Sequence, residues 1–327
     1  MKFALDAVRK ASALVKAVQT ELVAAALTKD DRSPVTVADY AAQALIGRLL
    51  DEHFPEDPLV GEEDSTALRT PEQAEILVRI AAFVGREIPG ATPESVCRWI
   101  DRGSAVSGAR YWTVDPIDGT KGFVRGDQYA VALALVVDGV VQLGVLGCPN
   151  LDVDYLRSEG SAEMTGGAGT LVAAARGEGT WIAGLDGDAF TRARVSERTD
   201  PARARLLRSF ETAHTNTGKI GELVEALGVT AAPVGLDSQA KYALLAAGRG
   251  DLLVRLLSSR QPDYLEKVWD QAAGSIVVEE AGGRIEDLHG SPLDFTAGRT
   301  LANNRGVLAS NGHLHNAALA ALADIGA

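Results

Sequence analysis

The amino-acid sequence predicts an α/β (α+β) protein in which helices cover β-sheet, and three observations support this class. Two valine-rich runs flank Asp138-Gly139 within residues 129–147, a pattern typical of a β-hairpin. Beyond residue 200, apolar strand-like runs alternate with helical ones. Apolar residues also recur at helical spacing through the first 28 residues, at Val8, Ala11, Val15, Val18 and Leu22.

The N-terminal half is predicted to continue with a second helix, a strand, an excursion and another strand. We expect Ser33-Pro34 to interrupt the helical pattern and the second helix to run from about residue 39 to 53, before Pro55. The apolar run at 59–61 indicates a buried strand. Residues 65–95 are predicted to form a surface excursion with a helical stretch at 74–84. Residues 111–114 are predicted to form a strand.

The C-terminal half follows a stretch rich in loop residues. Residues 158–170 are rich in glycine and serine, and 192–205 are polar around Pro201. We therefore place a domain boundary near residue 200, which gives domains at 1–200 and 201–327. In the second domain the patterns predict strands at 206–210, 252–256 and 307–310 and helices at 220–227, 238–247, 266–281 and 314–325.

Charge and cysteine content narrow the class of protein. The 327 residues hold 44 Asp and Glu against 32 Lys and Arg, a formal net charge of −12, which argues against binding of long nucleic acid. Two cysteines exclude a disulfide scaffold and fit a reducing, cytoplasmic environment. Asp6 and Asp138 interrupt the apolar runs that a signal peptide or a membrane helix would need, so we expect no membrane segment.

One acidic motif is more informative than the total charge. The sequence DPIDGT at 115–120 follows an apolar run and places two carboxylates three residues apart with no basic residue between them. Such carboxylates repel each other unless a cation lies between them, and oxygen ligands of this kind suit Mg²⁺. A helix beginning near Gly119-Thr120 would add backbone amides for an anion. The alternative is an ordinary Asp-rich turn in which Asp118 bonds its own backbone.

Three other acidic positions are weaker signals on their own. Glu62 lies in the run GEED at 61–64 after the short strand, which also fits a solvated acidic turn. Asp270 lies at the start of an apolar helix and Asp39 precedes Tyr40, and both positions also fit helix capping.

Together these motifs resemble the inositol monophosphatase superfamily of Mg²⁺-dependent, lithium-sensitive phosphatases, and more closely its 3′(2′),5′-bisphosphate nucleotidase branch. The resemblance extends from about residue 3 to 310 and departs from the family pattern at 65–95, 100–110 and 158–200. It implies a layered αβαβα sandwich with a metal site between two sheets. The motifs that carry it are VTVADYAAQ at 35–43, GEED, DPIDGTKGFVRGDQY at 115–129, GVLGCPN at 144–150, LDSQAKY at 236–242 and WDQAAGSIVVEEAGG at 269–283.

The resemblance implies two to three Mg²⁺ ions that share ligands. One ion would use Glu62, Asp115 and the Ile117 carbonyl, and a second would use Asp115, Asp118 and Asp270. A third would rely on Glu62 and water. Asp39 and Thr120 would orient and deprotonate the attacking water, in an in-line displacement without a phosphoenzyme.

The implied substrate contacts are less secure than the metal ligands. Lys241 lies one helical turn after Ser238, so both could face one anion. Arg255 offers a fork for a 5′-phosphate, which an inositol monophosphate lacks. The alternatives are a solvated Lys241, a strand-edge salt bridge at Arg255 and a loop histidine at His214. The full implied set is Gly119, Thr120, His214, Ser238, Lys241 and Arg255.

The activity implied is removal of the 3′-phosphate from adenosine 3′,5′-bisphosphate, which gives AMP and phosphate, with 3′-phosphoadenylyl sulfate as a second substrate. The partner is thus a small bisphosphate nucleotide, and the protein is expected to be a monomer or homodimer. An inositol (poly)phosphate or fructose bisphosphate phosphatase of the same superfamily is the first alternative. A catalytically silent metal- or nucleotide-binding regulator is the second.

Overall fold

The computed structural model describes residues 1–23, 33–157, 163–209, 216–258 and 260–327. Its helices are α1 (Lys2–Val18), α2 (Ser33–His53), α3 (Ala74–Glu87), α4 (Pro93–Asp101), α5 (Thr120–Arg125), α6 (Val153–Arg157), α7 (Thr217–Ala226), α8 (Ala240–Ala246), α9 (Val268–Glu280) and α10 (His315–Asp324). Its strands are β1 (Leu59–Gly61), β2 (Arg110–Asp118), β3 (Ala130–Val137), β4 (Val140–Cys148), β5 (Thr170–Ala175), β6 (Gly179–Gly184), β7 (Thr191–Ala193), β8 (Leu206–Arg208), β9 (Val234–Gly235), β10 (Leu252–Arg255), β11 (Arg284–Glu286) and β12 (Val307–Ser310).

The strands of the described residues form two sheets. In the first, β1 to β7 follow one another in chain order; β1 pairs with β2 in parallel, and the later neighbours are antiparallel. In the second, the order is β11-β12-β10-β8-β9, with β10, β8 and β9 parallel to one another. The hairpin predicted at 129–147 is confirmed as β3 and β4.

Helices cover both faces of each sheet and give five layers. Helices α1 and α2 pack on one face of the first sheet, and α9 packs on its other face beside α8. The second sheet lies beyond α8 and α9, and α7 and α10 form the last layer against a separate core that includes Leu308 and Leu322. The αβαβα sandwich implied by the sequence is therefore confirmed.

The alternation along β3 explains how the first sheet serves two cores. Val131, Leu133 and Leu135 face the core beneath α1 and α2, whereas the alanines between them face α9. Gly144 on β4 continues this small-residue face, since a Cβ there would lie 2.6 Å from Ile276 Cγ2. Small side chains thus let α9 lie close to the sheet, which fixes the position of Asp270 in its first turn.

The N-terminal half differs from its prediction in three respects. Pro34 lies in the first turn of α2, where its missing N–H costs no helical bond, so α2 begins at Ser33, six residues before its predicted start. The stretch 65–95 is not only a surface excursion, because α3 buries Ile80, Phe83 and Val84 in the first core. Helix α4 was not predicted, nor were β5, β6 and β7.

Elements α6, β9 and β11 were not predicted either. The ends of the other predicted elements agree with prediction to within a few residues, with two exceptions. α1 ends at Val18 and is followed by a π-helical turn at Gln19–Val23, and the rest of the helix predicted to residue 28 lies outside the described residues. Strand β2 runs on to Asp118, four residues beyond its predicted end. The domain boundary near residue 200 stays a prediction. Helix α9 lies after this boundary in the chain, and it packs against the first sheet, whose strands lie before the boundary. In the described part of the chain, no helix is long and apolar enough to cross a membrane.

Candidate active site

A cleft of about 230 Å³ opens where the C-terminal end of β2 meets the start of α8 and α9. Its lining includes acidic and basic side chains from separate parts of the chain. The lining residues are Glu62, Asp115, Ile117, Asp118, Gly119, Thr120, Lys121, Ser209, Asp237, Ser238, Gln239, Lys241, Tyr242, Leu253, Val254, Arg255, Tyr264, Asp270 and Gln271. Most of the residues predicted from the sequence to form the site therefore meet in this cleft.

The DPIDGT motif reaches the cleft as the end of a strand rather than as a simple turn. The pairing of β2 with β3 is irregular between Asp115 and Asp118, and α5 begins at Thr120, the point considered above as a possible helix start. Gly119 has φ +90°, and a Cβ there would lie 2.8 Å from Ser238 Cβ. Glycine is thus required both by the backbone conformation and by the close approach of the 237–239 segment.

Asp115 is the most enclosed acid of the cleft. The residue is 2% exposed, and no described residue forms a hydrogen bond with its Oδ1. Burial raises its pKa well above the usual range, and the charges of Glu62, Asp118 and Asp270 raise it further. A bound cation would offset both effects, because it would favour the charged carboxylate.

Glu62 and Asp270 approach Asp115 from β1 and α9. Glu62 lies at the rim, where the residue as a whole is exposed although protein atoms surround its carboxyl group. This burial of the carboxyl group is the main reason that the pKa of Glu62 is raised to about 8. The charges of Asp270, Glu63 and Asp118 raise it further. Burial raises the pKa of Asp270 to about 7 against the opposing effect of Arg255. Asp270 lies in the first turn of α9, three residues after Lys267, which is the N-cap. Both side chains line the cleft, so neither is only a solvated turn residue or a residue at a helix end.

Asp118 is held by the opposite side of the cleft. Its Oδ2 accepts a hydrogen bond of 2.5 Å from the Gln239 backbone N–H, a residue distant in sequence. The alternative in which Asp118 bonds only its own turn is therefore wrong. Burial raises its pKa, while the charges of Lys241 and Arg255 lower it.

The carboxylate oxygens of the cleft are the kind of ligand that a divalent cation prefers, but the described side chains are not arranged closely enough to surround one. In the described part of the chain, no three His, Cys, Asp or Glu side chains form a group that could hold a metal ion. The fit rests on other observations: the unpaired Oδ1 of Asp115 and the mutually raised pKa values of Glu62, Asp115 and Asp270. Hard oxygen donors are the ligands that Mg²⁺ prefers.

Asp39 and Thr120 were predicted to act as a pair. Asp39 lies inside α2, not at its N-cap, and it is buried with its Oδ1 unbonded by any described residue. Burial, followed by the charges of Glu63 and Glu62, raises its pKa well above the usual range. Thr120 lines the cleft at the start of α5, and α5 packs against α2. Direct contact between the two side chains stays a prediction.

Lys241 is not the solvated helix residue of the alternative interpretation. It is 9% exposed, and its Nζ donates to the Leu236 carbonyl at 3.1 Å. Burial lowers its pKa to about 8 against the charge of Asp118, with Arg255 lowering it further. Ser238, at φ +74°, adopts the left-handed conformation, and its Oγ accepts from the Ala240 N–H at 3.2 Å.

Arg255 forms the salt bridge that the alternative interpretation expected, and it also lines the cleft. Its Nε lies 2.8 Å from the buried carboxylate of Glu266, and its Nη2 lies 3.6 Å from Asp270 Oδ2. The guanidinium has five N–H donors, more than these two contacts use. His214, the remaining predicted substrate contact, lies outside the described residues.

Two side chains that hold the site were not identified from the sequence. Gln239 donates from Nε2 to the Trp269 carbonyl at 3.0 Å and thereby joins the Asp118 contact to the start of α9. It lies within LDSQAKY, so the motif contained the signal. Gln43 on α2 bonds the Glu63 backbone through both its carbonyl and its amide, at 3.0 and 2.6 Å. It lies one turn after Asp39 in VTVADYAAQ, and no pattern in the sequence separately indicated this role.

Comparisons with known proteins agree with this geometry. The chain matches the model of the inositol monophosphatase family over residues 1–327. It is 41% identical to a 3′(2′),5′-bisphosphate nucleotidase of Schizosaccharomyces pombe, with 94% of this chain and 90% of the relative aligned. It is 40% identical to proteins of the same name from Oryza sativa (98% and 92% aligned) and Dictyostelium discoideum (94% and 91%).

Solved structures support the same fold at lower identity. The Mycobacterium tuberculosis protein SuhB superposes with a TM-score of 0.63 at 22% identity, covering 99% of this chain and 95% of that one. An IMPase of Thermotoga maritima gives a TM-score of 0.62 at 21% identity, covering 99% and 96%. The chain therefore belongs to the inositol monophosphatase family of metal-dependent phosphatases, in the branch of the 3′(2′),5′-bisphosphate nucleotidases.

Proposed function

We propose that this protein is a Mg²⁺-dependent 3′(2′),5′-bisphosphate nucleotidase that hydrolyses adenosine 3′,5′-bisphosphate to AMP and phosphate, with 3′-phosphoadenylyl sulfate as a second substrate. One observation carries the proposal: a single cleft brings the acidic groups of Asp115, Asp118 and Asp270 opposite the cationic groups of Lys241 and Arg255. The names of the relatives at about 40% identity support this choice of substrate.

The proposed metal ligands are those that the family motif implies. Glu62, Asp115 and the Ile117 carbonyl would hold one ion, and Asp115, Asp118 and Asp270 would hold a second. When bound, the ions would neutralise the phosphate, lower the pKa of the attacking water and stabilise the leaving oxygen. The exposed position of Glu62 at the rim also suits the third, weaker ion.

Asp39 and Thr120 are proposed to move the proton. A hydroxyl is too weak a base to deprotonate water alone, so Thr120 would orient the water and pass its proton to Asp39. The raised pKa of Asp39 supports this role, since a buried carboxylate without a cationic partner gains most from accepting a proton. The water oxygen then forms the new bond to phosphorus while the 3′-oxygen leaves with the bonding electrons.

The proposed substrate contacts lie on the other side of the cleft. Lys241 and Arg255 would bind the 5′-phosphate, which an inositol monophosphate lacks, and Ser238 would contact the same anion. Gly119 and Thr120 would contact the phosphate that is cleaved. His214 stays a prediction from the sequence, as do the cytoplasmic location and the monomeric or homodimeric state.

The proposal is tested by measuring phosphate release from a panel of four substrates, with Mg²⁺ and with EDTA. Adenosine 3′,5′-bisphosphate should be hydrolysed with the highest kcat/KM, and EDTA should abolish the activity. The other substrates are inositol 1-phosphate, inositol 1,4-bisphosphate and fructose 1,6-bisphosphate. A preference for any of these would reject the nucleotide assignment, and no Mg²⁺-dependent release from any substrate would favour a silent regulator.

A further inference from the structure

Arg299 lies in the connection between β11 and β12 and reaches a part of the chain more than 190 residues away. Its Nη1 donates to the carbonyls of Gly103 and Ala105 at 2.9 and 3.0 Å, and its Nη2 donates to the Gly61 carbonyl. One guanidinium thus bonds three backbone carbonyls. Bonds from a charged donor are stronger than neutral ones, and the planar group fixes their relative directions.

These carbonyls belong to the backbone that carries Glu62. Gly61 is the last residue of β1, and Glu62 follows it directly. The Gly61 N–H donates to the Gly103 carbonyl at 2.8 Å, so residues 103–105 form the neighbouring edge of β1. Arg299 therefore holds the end of the strand from which Glu62 enters the cleft.

The same side chain also contacts the start of α9. The guanidinium carbon lies 4.9 Å from the ring centre of Trp269, the residue before Asp270. The Arg299 carbonyl accepts from the Val268 N–H at 3.2 Å, and the Leu301 N–H donates to the Glu266 carbonyl at 2.8 Å. The Arg299 backbone is thus bonded to the start of the helix that carries Asp270. Its side chain is bonded to the end of the strand that precedes Glu62.

We propose that Arg299 is a positioning residue that fixes the separation of the Glu62 and Asp270 carboxylates and so sets the affinity of the cleft for a divalent cation. This rests on the proposed function, because the metal role of the two carboxylates does. Arg299 does not line the cleft, so it acts through Gly61 and Trp269 rather than on the substrate.

The test compares Arg299→Lys with Arg102→Lys. Arg102 is a matched control because its Nη2 also donates to three backbone carbonyls, those of Phe54, Pro55 and Asp57, at 2.8, 3.2 and 2.9 Å, before β1 begins. Lysine keeps the charge but neither stacks on Trp269 nor spans three carbonyls. Calorimetric titration of the substrate-free protein with Mn²⁺ should show about tenfold weaker binding in Arg299→Lys and unchanged binding in Arg102→Lys.

Steady-state kinetics measure the metal dependence of the same variants independently of calorimetry. In Arg299→Lys, the Mg²⁺ concentration for half-maximal activity should rise about tenfold, while KM for the nucleotide at saturating Mg²⁺ stays unchanged. Wild-type affinity for Mn²⁺ in Arg299→Lys, or an equal loss in both variants, would overturn the positioning role. Absence of Mn²⁺ binding by the wild type would instead reject the proposed function.

If Arg299→Lys does not fold, Trp269→Phe keeps the donors and acceptors of the three carbonyl bonds and reduces the ring surface that the guanidinium contacts, at a residue that is also part of the buried core. A weakening of Mn²⁺ binding of about threefold supports the role of Arg299, since a smaller ring holds the guanidinium less firmly. Unchanged Mn²⁺ affinity in a folded Trp269→Phe protein would overturn it.

Discussion

The two walls of the cleft satisfy their charges in different ways. On the wall built from β1 and β2, Asp115 and Glu62 face other carboxylates, and Asp115 Oδ1 is unbonded by any described residue. On the wall built from α8 and β10, the cations have partners: Lys241 donates to a backbone carbonyl, and Arg255 pairs with buried Glu266. We therefore infer that a cation would complete the acidic wall and that the basic wall would receive an anion.

This difference between the walls affects what the net charge implies about the substrate. A total of −12 would disfavour an anionic substrate if the charge were spread evenly. Because several acids are gathered where a divalent ion would invert the local field, the same total is compatible with a small bisphosphate. The comparison predicts that changes to the acidic wall abolish turnover, while changes to the basic wall alter substrate affinity.

The largest effect is expected from the acidic wall. Asp118→Asn keeps the shape and an oxygen that can accept from Gln239 but removes the negative charge of a proposed metal ligand. We expect kcat to fall about a thousandfold, equivalent to ~4 kcal/mol of barrier, with an unchanged far-UV spectrum. The control is Asp127→Asn, an exposed acid nearby that pairs with Arg125. Turnover of Asp118→Asn within tenfold of wild type would contradict the ligand role.

A smaller and more selective effect is expected at Arg255. Arg255→Ala would leave buried Glu266 unpaired, so Arg255→Lys is the better variant. Loss of the fork should raise KM for adenosine 3′,5′-bisphosphate about thirtyfold but raise KM for 3′-AMP, which has no 5′-phosphate, by less than threefold. Steady-state kinetics on both nucleotides measure this, and equal increases would remove Arg255 from the 5′-phosphate site.

The smallest effect is a pH dependence from Lys241. Because burial lowers its pKa to about 8, Lys241 loses its proton as the pH rises through this value and no longer attracts phosphate. At saturating Mg²⁺, kcat/KM should therefore fall above pH 8. In Lys241→Met, kcat/KM should be about tenfold lower at pH 7 and should show no further fall above pH 8. A fall above pH 8 that persists in Lys241→Met, or disappears in the distant control Lys219→Met, would assign the titration to another group.

Local patterns predicted much of the fold, and motifs indicated the composition of the site. The β3–β4 hairpin follows from the valine-rich runs that flank Asp138-Gly139, and the carboxylates of the cleft follow from DPIDGT, GEED and the Trp269-Asp270 pair. The strand character of Asp115 to Asp118 was missed because Pro116 and Gly119 resemble turn residues, while pairing with β3 extends the strand.

The contacts that hold the site could not be predicted because their partners are distant in sequence. Gly61 and Arg299 are 238 positions apart, and Asp118 and Gln239 are 121 apart. Burial also decides properties that sequence spacing does not contain. Lys241 has the spacing of a surface helix residue, yet α8 is buried along its whole length.

The roles proposed for the two walls can be tested together by locating a metal ion and a phosphate in one crystal. The protein would be crystallised with Mn²⁺ and AMP, and anomalous diffraction would locate the metal. We expect Mn²⁺ within coordination distance of Asp115 and the AMP phosphate in contact with Lys241 and Arg255. Mn²⁺ bound away from Asp115, or AMP bound with its phosphate away from both cations, would contradict these roles.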